Sequence, residues 1–279
     1  MRDVIRVASV SEYPVMNERT GNRLFPVLLL LLIAAGAFFG LAPFLLPTQF
    51  ASFFDFAGVD TLMYRIAGAA TFGYAVGLAL GYRASWPELR VGIAATAVFN
   101  LGSLIACALA IAAGATPWVV FLITLASLVF ASSCLYCYSR PPTDRGAAPA
   151  ADDRPIATWI TALFVIGTLS ALFFGVAALF IAGSFGRSLG YPGMDDFIYR
   201  QGGAATLGAG IGGVLVLMDR RWSAARIPTV MALTFNGLSV IAVLLDVAAG
   251  TAQPIAYVIL AAAALVTVGT AAALMRGGR

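Results

Sequence analysis

The sequence predicts an all-α integral membrane protein, with eight transmembrane helices arranged as a tandem parallel duplication of a four-helix unit. Three observations carry that prediction. Of the 279 residues, 61% are hydrophobic and only 11% are charged, less than half the roughly 25% charge of an average soluble domain. Eight apolar stretches approach or exceed the roughly 20 residues that a helix needs to cross the hydrocarbon of a bilayer. The second half of the chain repeats the first at a nearly constant offset.

Residues 1–23 are polar, carry four Arg and lack an apolar core, so they form a cytoplasmic N-terminal segment and not a secretory signal. The first four spans fall at 24–46, 62–82, 91–112 and 117–138, making a first four-helix repeat over 24–138. Residues 139–155 hold Pro141, Pro142, Pro155, Gly146 and several Asp and Arg, the composition of a flexible polar linker. The second repeat, 156–279, holds spans at 156–183, 198–218, 227–249 and 253–275. The fifth run, 28 residues long, predicts a tilted helix or one extending beyond the bilayer. Helices are the expected spanning element because unpaired backbone groups are costly in lipid.

The repeat is specific. Phe38-Phe39-Gly40 returns as Phe173-Phe174-Gly175, and GVDTLMYRIAGAATFGYAVG at 58–77 returns as GMDDFIYRQGGAATLGAGIG at 193–212, both at an offset of 135. Over positions 38–77, 15 of 40 aligned residues are identical. One inserted residue then shifts the offset to 136, at which Trp86, Arg90, Phe99-Asn100 and Ser103 match Trp222, Arg226, Phe235-Asn236 and Ser239. Four spans per unit bring both halves in from the same side, so they relate by a pseudo-two-fold axis along the membrane normal.

Charge sets orientation and narrows chemistry. All 17 basic residues are Arg, and 14 of them lie at the termini or in the loops near 83–90, 139–155 and 219–226. The positive-inside rule therefore places both termini in the cytoplasm of a plasma (inner) membrane, the protein being multi-pass. The net charge of +4 is spread over short loops, which excludes a nucleic-acid interface. With no His and no Lys, imidazole catalysis, His metal sites and Schiff-base chemistry are absent. No nucleophile–base pair, metal-ligand cluster or phosphate-cradling loop stands out, so the expected protein is not an enzyme, with no catalytic residue, no metal and no cofactor. Cys134 and Cys137 form a CxxC at the cytoplasmic end of the fourth span, which no second-half residue matches, and a redox role is not expected there.

Two sets of residues remain as candidates. The first is G-x-D-x-x-x-Y-R-x-x-G-A-A-T-x-G-x-x-x-G, which opens the second and sixth spans. Asp60 and Asp195 stand where helix N-caps belong. Arg65, Ala69, Gly73 and Gly77 share a helix face, as do Arg200, Ala204, Gly208 and Gly212, giving a small-residue stripe with a guanidinium at its outer end. Arg65 and Arg200 either snorkel and pair locally, Asp196 being the evident partner of Arg200, or join Tyr64 and Tyr199 as paired sites for an anion or a lipid headgroup. The local structural role is preferred. The second set is an interhelical polar cluster of Thr71, Asn100 and Ser103, repeated as Thr206, Asn236 and Ser239, read as hydrogen-bond glue rather than a hydrated path. Asp246, near a helix end, reads as an interfacial residue.

The four-span unit, with an Arg near the start of its second helix and a Gly-rich stripe beyond, resembles DoxX-like small bacterial membrane proteins, half by half. The duplication and the Phe-Asn of the third helix depart from that pattern. The resemblance implies no catalytic residues. The sequence thus predicts a non-catalytic membrane protein, an accessory subunit or lipid-binding scaffold whose partners are membrane lipids and other membrane-protein subunits. The alternative is a small-solute or anion transporter with its site between the two repeats.

Overall fold

The computed structural model describes residues 21–56, 58, 60–114, 117–142, 154–190 and 196–277. Among them the chain forms α-helices and no strand: α1 (Gly21–Leu45), α2 (Pro47–Phe53), α3 (Thr61–Gly81), α4 (Trp86–Ala112), α5 (Trp118–Ser139), α6 (Thr158–Phe180), α7 (Ala182–Ser188), α8 (Asp196–Asp219), α9 (Trp222–Ala248) and α10 (Pro254–Gly277). Seven of these, α1, α4, α5, α6, α8, α9 and α10, are long and apolar enough to cross a membrane. The eighth long helix, α3, has 21 residues but carries Tyr64, Arg65, Thr71 and Tyr74 among its apolar ones. The chain is an all-α, multi-pass membrane protein.

Local chemistry explains most helix ends. Pro47 ends α1 near Leu46, since a residue before proline is disfavoured in the helical region, and then serves as the first residue of α2. The Ser85 and Glu88 side chains close a capping box at the start of α4, with the Ser85 N–H donating to Glu88 Oε2 at 3.0 Å. The Ala-Ala-Gly that follows Ile111 and Val247 stops α4 and α9 alike. Gly114 and Gly250 take φ of +83° and +71°, the left-handed conformation that glycine adopts without strain after a helix.

Three boundaries differ from expectation, one of them the seventh span, which begins at Trp222 and not at 227. The 28-residue fifth run is not one long tilted helix: α6 stops at Phe180, Ile181 leaves the helical region, and a separate short helix, α7, follows. The third span begins at Trp86, five residues before the apolar run, because the capping box nucleates the helix inside a polar segment. Beyond the polar linker, Arg154 to Ile156 runs beside the α8–α9 turn, with the Ile156 N–H donating to Arg220 O and the Trp222 N–H to Arg154 O, both at 2.9 Å.

Packing places α3, α4, α8 and α9 inside. The helices α1, α5, α6 and α10 lie outside and turn large apolar side chains outward, among them Leu31, Phe38, Leu125, Leu169, Leu265 and Val268. In water such faces would be a liability. In a bilayer they are solvated. The inner contacts are crossed: α4 packs chiefly on α8, and α3 chiefly on α9, while α3–α4 and α8–α9 touch much less. The outer helices follow suit, α1 on α3, α6 on α8, α5 on α4 and α10 on α9.

Glycines make these contacts possible. A Cβ on Gly40 would fall 2.7 Å from the Phe72 backbone, and one on Gly175 would fall 2.6 Å from that of Leu207, so the Phe-Phe-Gly segments are where α1 meets α3 and α6 meets α8. The stripe of α3 faces α9, with Gly73 against the Met231 carbonyl. The stripe of α8 faces α4, with Gly208 against the Ala95 carbonyl. Each of these two helices is thus held by backbone-level approach on two faces.

Candidate functional site

At the end of the bundle where α3 and α8 begin, Asp60 has extended backbone angles (φ −92°, ψ 96°), and its Oδ1 accepts the Met63 N–H at 3.3 Å, the N-cap expected from sequence. Asp195, its counterpart, lies outside the described residues. The other Asp60 oxygen accepts the Tyr199 hydroxyl at 3.4 Å, a link from α3 to α8. Burial raises the Asp60 pKa above its usual 3.8, the cap bond to Met63 opposes that, and the nearby Asp246 charge adds to the rise.

The four motif residues are partnered differently in the two halves. Arg200 pairs with Asp196 one turn back at 3.5 Å, whereas Arg65 has no carboxylate within ion-pair distance among the described residues; the Nε of each is buried without a hydrogen bond there. Arg65 continues the stripe that faces α9, and Arg200 continues the one that faces α4, so the two guanidinium groups belong to different seams. The Tyr64 hydroxyl donates to Gly58 O at 3.2 Å and is almost fully buried. Asp246, in the last turn of α9, is buried with its Oδ1 accepting the Thr251 hydroxyl at 2.6 Å, while its Oδ2 has no partner.

The polar cluster divides. Thr71, Asn100 and Ser103 come together on one cavity of about 120 Å³, walled by α1, α3, α4 and α5 and roofed by the first turns of α8. Their hydrogen bonds are mostly internal to a helix: the Thr71 hydroxyl donates to Ala67 O at 3.0 Å, and Asn100 Nδ2 donates to Thr96 O at 2.8 Å. One bond crosses between helices, from Ser127 Oγ of α5 to Ser103 Oγ of α4 at 2.9 Å. In the second half, Thr206, Asn236 and Ser239 each donate to the carbonyl four residues back at 2.8 Å, and no hydrogen bond joins them to one another.

Tyr64 also lines the cavity, and Arg65 and Arg200 do not. Apolar and aromatic side chains make most of its wall, with Phe39, Phe99 and Phe130 among them, and no charged residue contributes. Besides Tyr74, three polar contributors are not singled out from sequence, namely Thr96, Ser127 and Gln201. At the offsets of the repeat they stand opposite Ala232, Ala263 and Ile66. The signal is therefore present in the sequence as a difference between the halves.

Other contacts bridge the halves. The buried Tyr74 hydroxyl donates to Ala205 O at 2.7 Å, joining α3 to α8 mid-bundle. At the opposite end, Arg226 donates to Glu88 at 3.1 Å, and Asp219 is shared by Arg90 and by Arg221, the latter at 2.7 Å. Cys134 and Cys137 are buried free thiols in α5. Among the described residues, no three His, Cys, Asp or Glu gather as a metal site would require. Comparison with family models, with curated proteins and with solved structures gave no match for this chain.

Proposed function

We propose that this chain is a non-catalytic membrane protein of eight spans that acts as a lipid-binding scaffold, holding an apolar molecule from the bilayer in the cavity of its first half. The observation that carries this reading is the cavity itself, which is uncharged, mostly apolar and set between helices whose outer faces meet lipid. Apolar concave sites with a few convergent polar groups are the usual form of small-molecule sites. Counting α3 as the eighth span follows from its place inside the bundle, where Tyr64, Thr71 and Tyr74 have hydrogen-bond partners and need no lipid.

The tandem duplication belongs to this reading. It is supported by the matched residues and by the matching pairs of packed helices in the two halves. So does the placement of both termini in the cytoplasm, which rests on the Arg distribution. The likeness of each half to DoxX-like proteins rests on topology and glycine pattern. The transporter alternative needs a solute site between the halves. There the stripes of α3 and α8 are closed against α9 and α4, and Tyr74 fills the crossing, which favours the scaffold.

Native mass spectrometry after gentle extraction from the protein's own membranes tests the reading. Wild type is expected to carry a bound lipid or other apolar molecule. Ala126→Phe, which fills the cavity, should lose it, and Ala261→Phe on the exposed face of α10 should keep it. An adduct that survives Ala126→Phe unchanged would refute binding in this cavity.

A further inference from the structure

Resting on that reading, we infer that the cavity selects an uncharged lipid bearing a free hydroxyl group, with the hydroxyl held between Thr71 and Asn100. Three observations lead there.

The first is charge. The cavity presents no Arg and no carboxylate. An ionised headgroup placed there would lose its hydration without gaining a counter-charge. A neutral polar group meets no such penalty.

The second is the sense of the hydrogen bonds. The Thr71 hydroxyl proton is committed to Ala67 O, that of Thr96 to Gly92 O at 2.8 Å, and that of Ser127 to Ser103 Oγ. One N–H of Asn100 is committed to Thr96 O. What these side chains still offer is mostly lone pairs, on the threonine oxygens and on Asn100 Oδ1. The second N–H of Asn100 and the Gln201 amide remain as donors, but acceptors are in the majority, which suits a ligand that donates. A hydroxyl does so, and an ether or ester oxygen cannot.

The third is the asymmetry between the halves. Packing alone is met in the second half by Ala232 and Ala263, where the first half has Thr96 and Ser127. The extra hydroxyls gather on the one cavity, which is the placement a ligand requires and a packing role does not. The volume of about 120 Å³ is a little below that of a cavity known to take benzene, about 150 Å³, so it receives the polar group and the first few carbons. The seam between α1 and α5, which touch only slightly, gives the remaining chain its way out to the bilayer.

The test uses two photoreactive probes on the full-length protein in nanodiscs. One is an eight-carbon alkyl diazirine ending in an alcohol, and the other is its methyl ether. Labelled peptides are mapped by mass spectrometry. The alcohol is expected to label α1, α3, α4 and α5 at cavity positions about three- to tenfold more than the ether, the range that a hydrogen bond of ordinary strength supports. Thr71→Val and Asn100→Leu should bring the two probes to near equality.

Equal labelling of the wild-type cavity by both probes would overturn the hydroxyl selectivity and leave the lipid-binding reading standing. Labelling of the cavity by neither probe would overturn both. The wild-type comparison decides by itself, so a variant that fails to insert does not blunt the test. Competition by free octanol and by dioctanoylglycerol then distinguishes a small alcohol from a membrane lipid as the source of the hydroxyl.

Discussion

Gly208 sits where α8 meets α4 and α3 together, and replacing it with alanine probes the inner packing directly. The added Cβ would lie 2.5 Å from the Tyr74 hydroxyl, 2.6 Å from the Ala95 carbonyl oxygen and 3.0 Å from the Phe99 nitrogen. Two of those three atoms are backbone and cannot rotate away, so the helices must separate. Overpacking of this kind costs about 1–3 kcal/mol. Displacing the Tyr74–Ala205 hydrogen bond adds about 1 kcal/mol, for a total of about 2–4 kcal/mol. Gly167→Ala in α6 is the reference, because nothing lies within 4 Å of its new Cβ and helix propensity alone should stabilise it by up to about 1 kcal/mol. Reversible unfolding in mixed micelles, followed by circular dichroism, measures both. Tyr74→Phe in the Gly208→Ala background removes the hydroxyl clash but not the clash with Ala95 O, so it should restore only part of the loss. If Gly208→Ala were as stable as Gly167→Ala, the close approach of α8 to α4 would be wrong.

Further outcomes follow from the charged groups. A carboxyl whose pKa is higher folded than unfolded binds its proton more tightly when folded, so the Asp60 contribution falls as pH rises from about the usual 3.8 through the raised value. Asp60→Asn keeps the N-cap, so it should flatten that part of the stability–pH curve and leave the protein at least as stable at pH 7, as chemical denaturation across pH will show. Asp246→Asn should weaken the pH dependence without abolishing it, since burial is the larger cause at Asp60 and the Asp246 charge the smaller. A double-mutant cycle on Glu88→Gln and Arg226→Gln should give a coupling of about 0.2–1 kcal/mol that shrinks with salt, because the Arg226 side chain is 42% exposed. A membrane-impermeant maleimide on intact cells should label Ser188→Cys but not Ser139→Cys, and the reverse pattern would invert the proposed orientation.

Much of the fold was legible along the chain because its causes are local or set by the bilayer. Apolar length marks the long helices and Asp60 marks a helix start, while the Ser85–Glu88 box sets a start five residues before the apolar run and the Ala-Ala-Gly segments stop two helices. All of these depend on residues within a turn or two. The stripes of Gly73 and Gly77 and of Gly208 and Gly212 announced close helix contacts but not their partners. A stripe without side chains fits any apolar helix, and the two stripes are nearly identical. Four-residue and two-residue turns join α3 to α4 and α8 to α9, which suggests that sequential neighbours pack together. Equal depth in the membrane sets Asn100 level with Thr71, and they do share the cavity, yet the main partner of α4 is α8.

Composition, hydropathy and the internal repeat by themselves determined the class of protein, the positions of its long helices and the faces on which they would pack, because each of these is a property of consecutive residues in a bilayer. Only the tertiary structure decided that the inner helices cross between halves and that Glu88 meets Arg226 across 138 positions. It also decided that a neutral cavity opens beside Thr71, Asn100 and Ser103. Those depend on how near-equivalent stripes choose among one another. The crossed seams α3–α9 and α4–α8 are equivalent in the two halves, whereas the cavity draws part of its polar lining from positions where the halves differ, as at Ser127 opposite Ala263 and Tyr74 opposite Ala209.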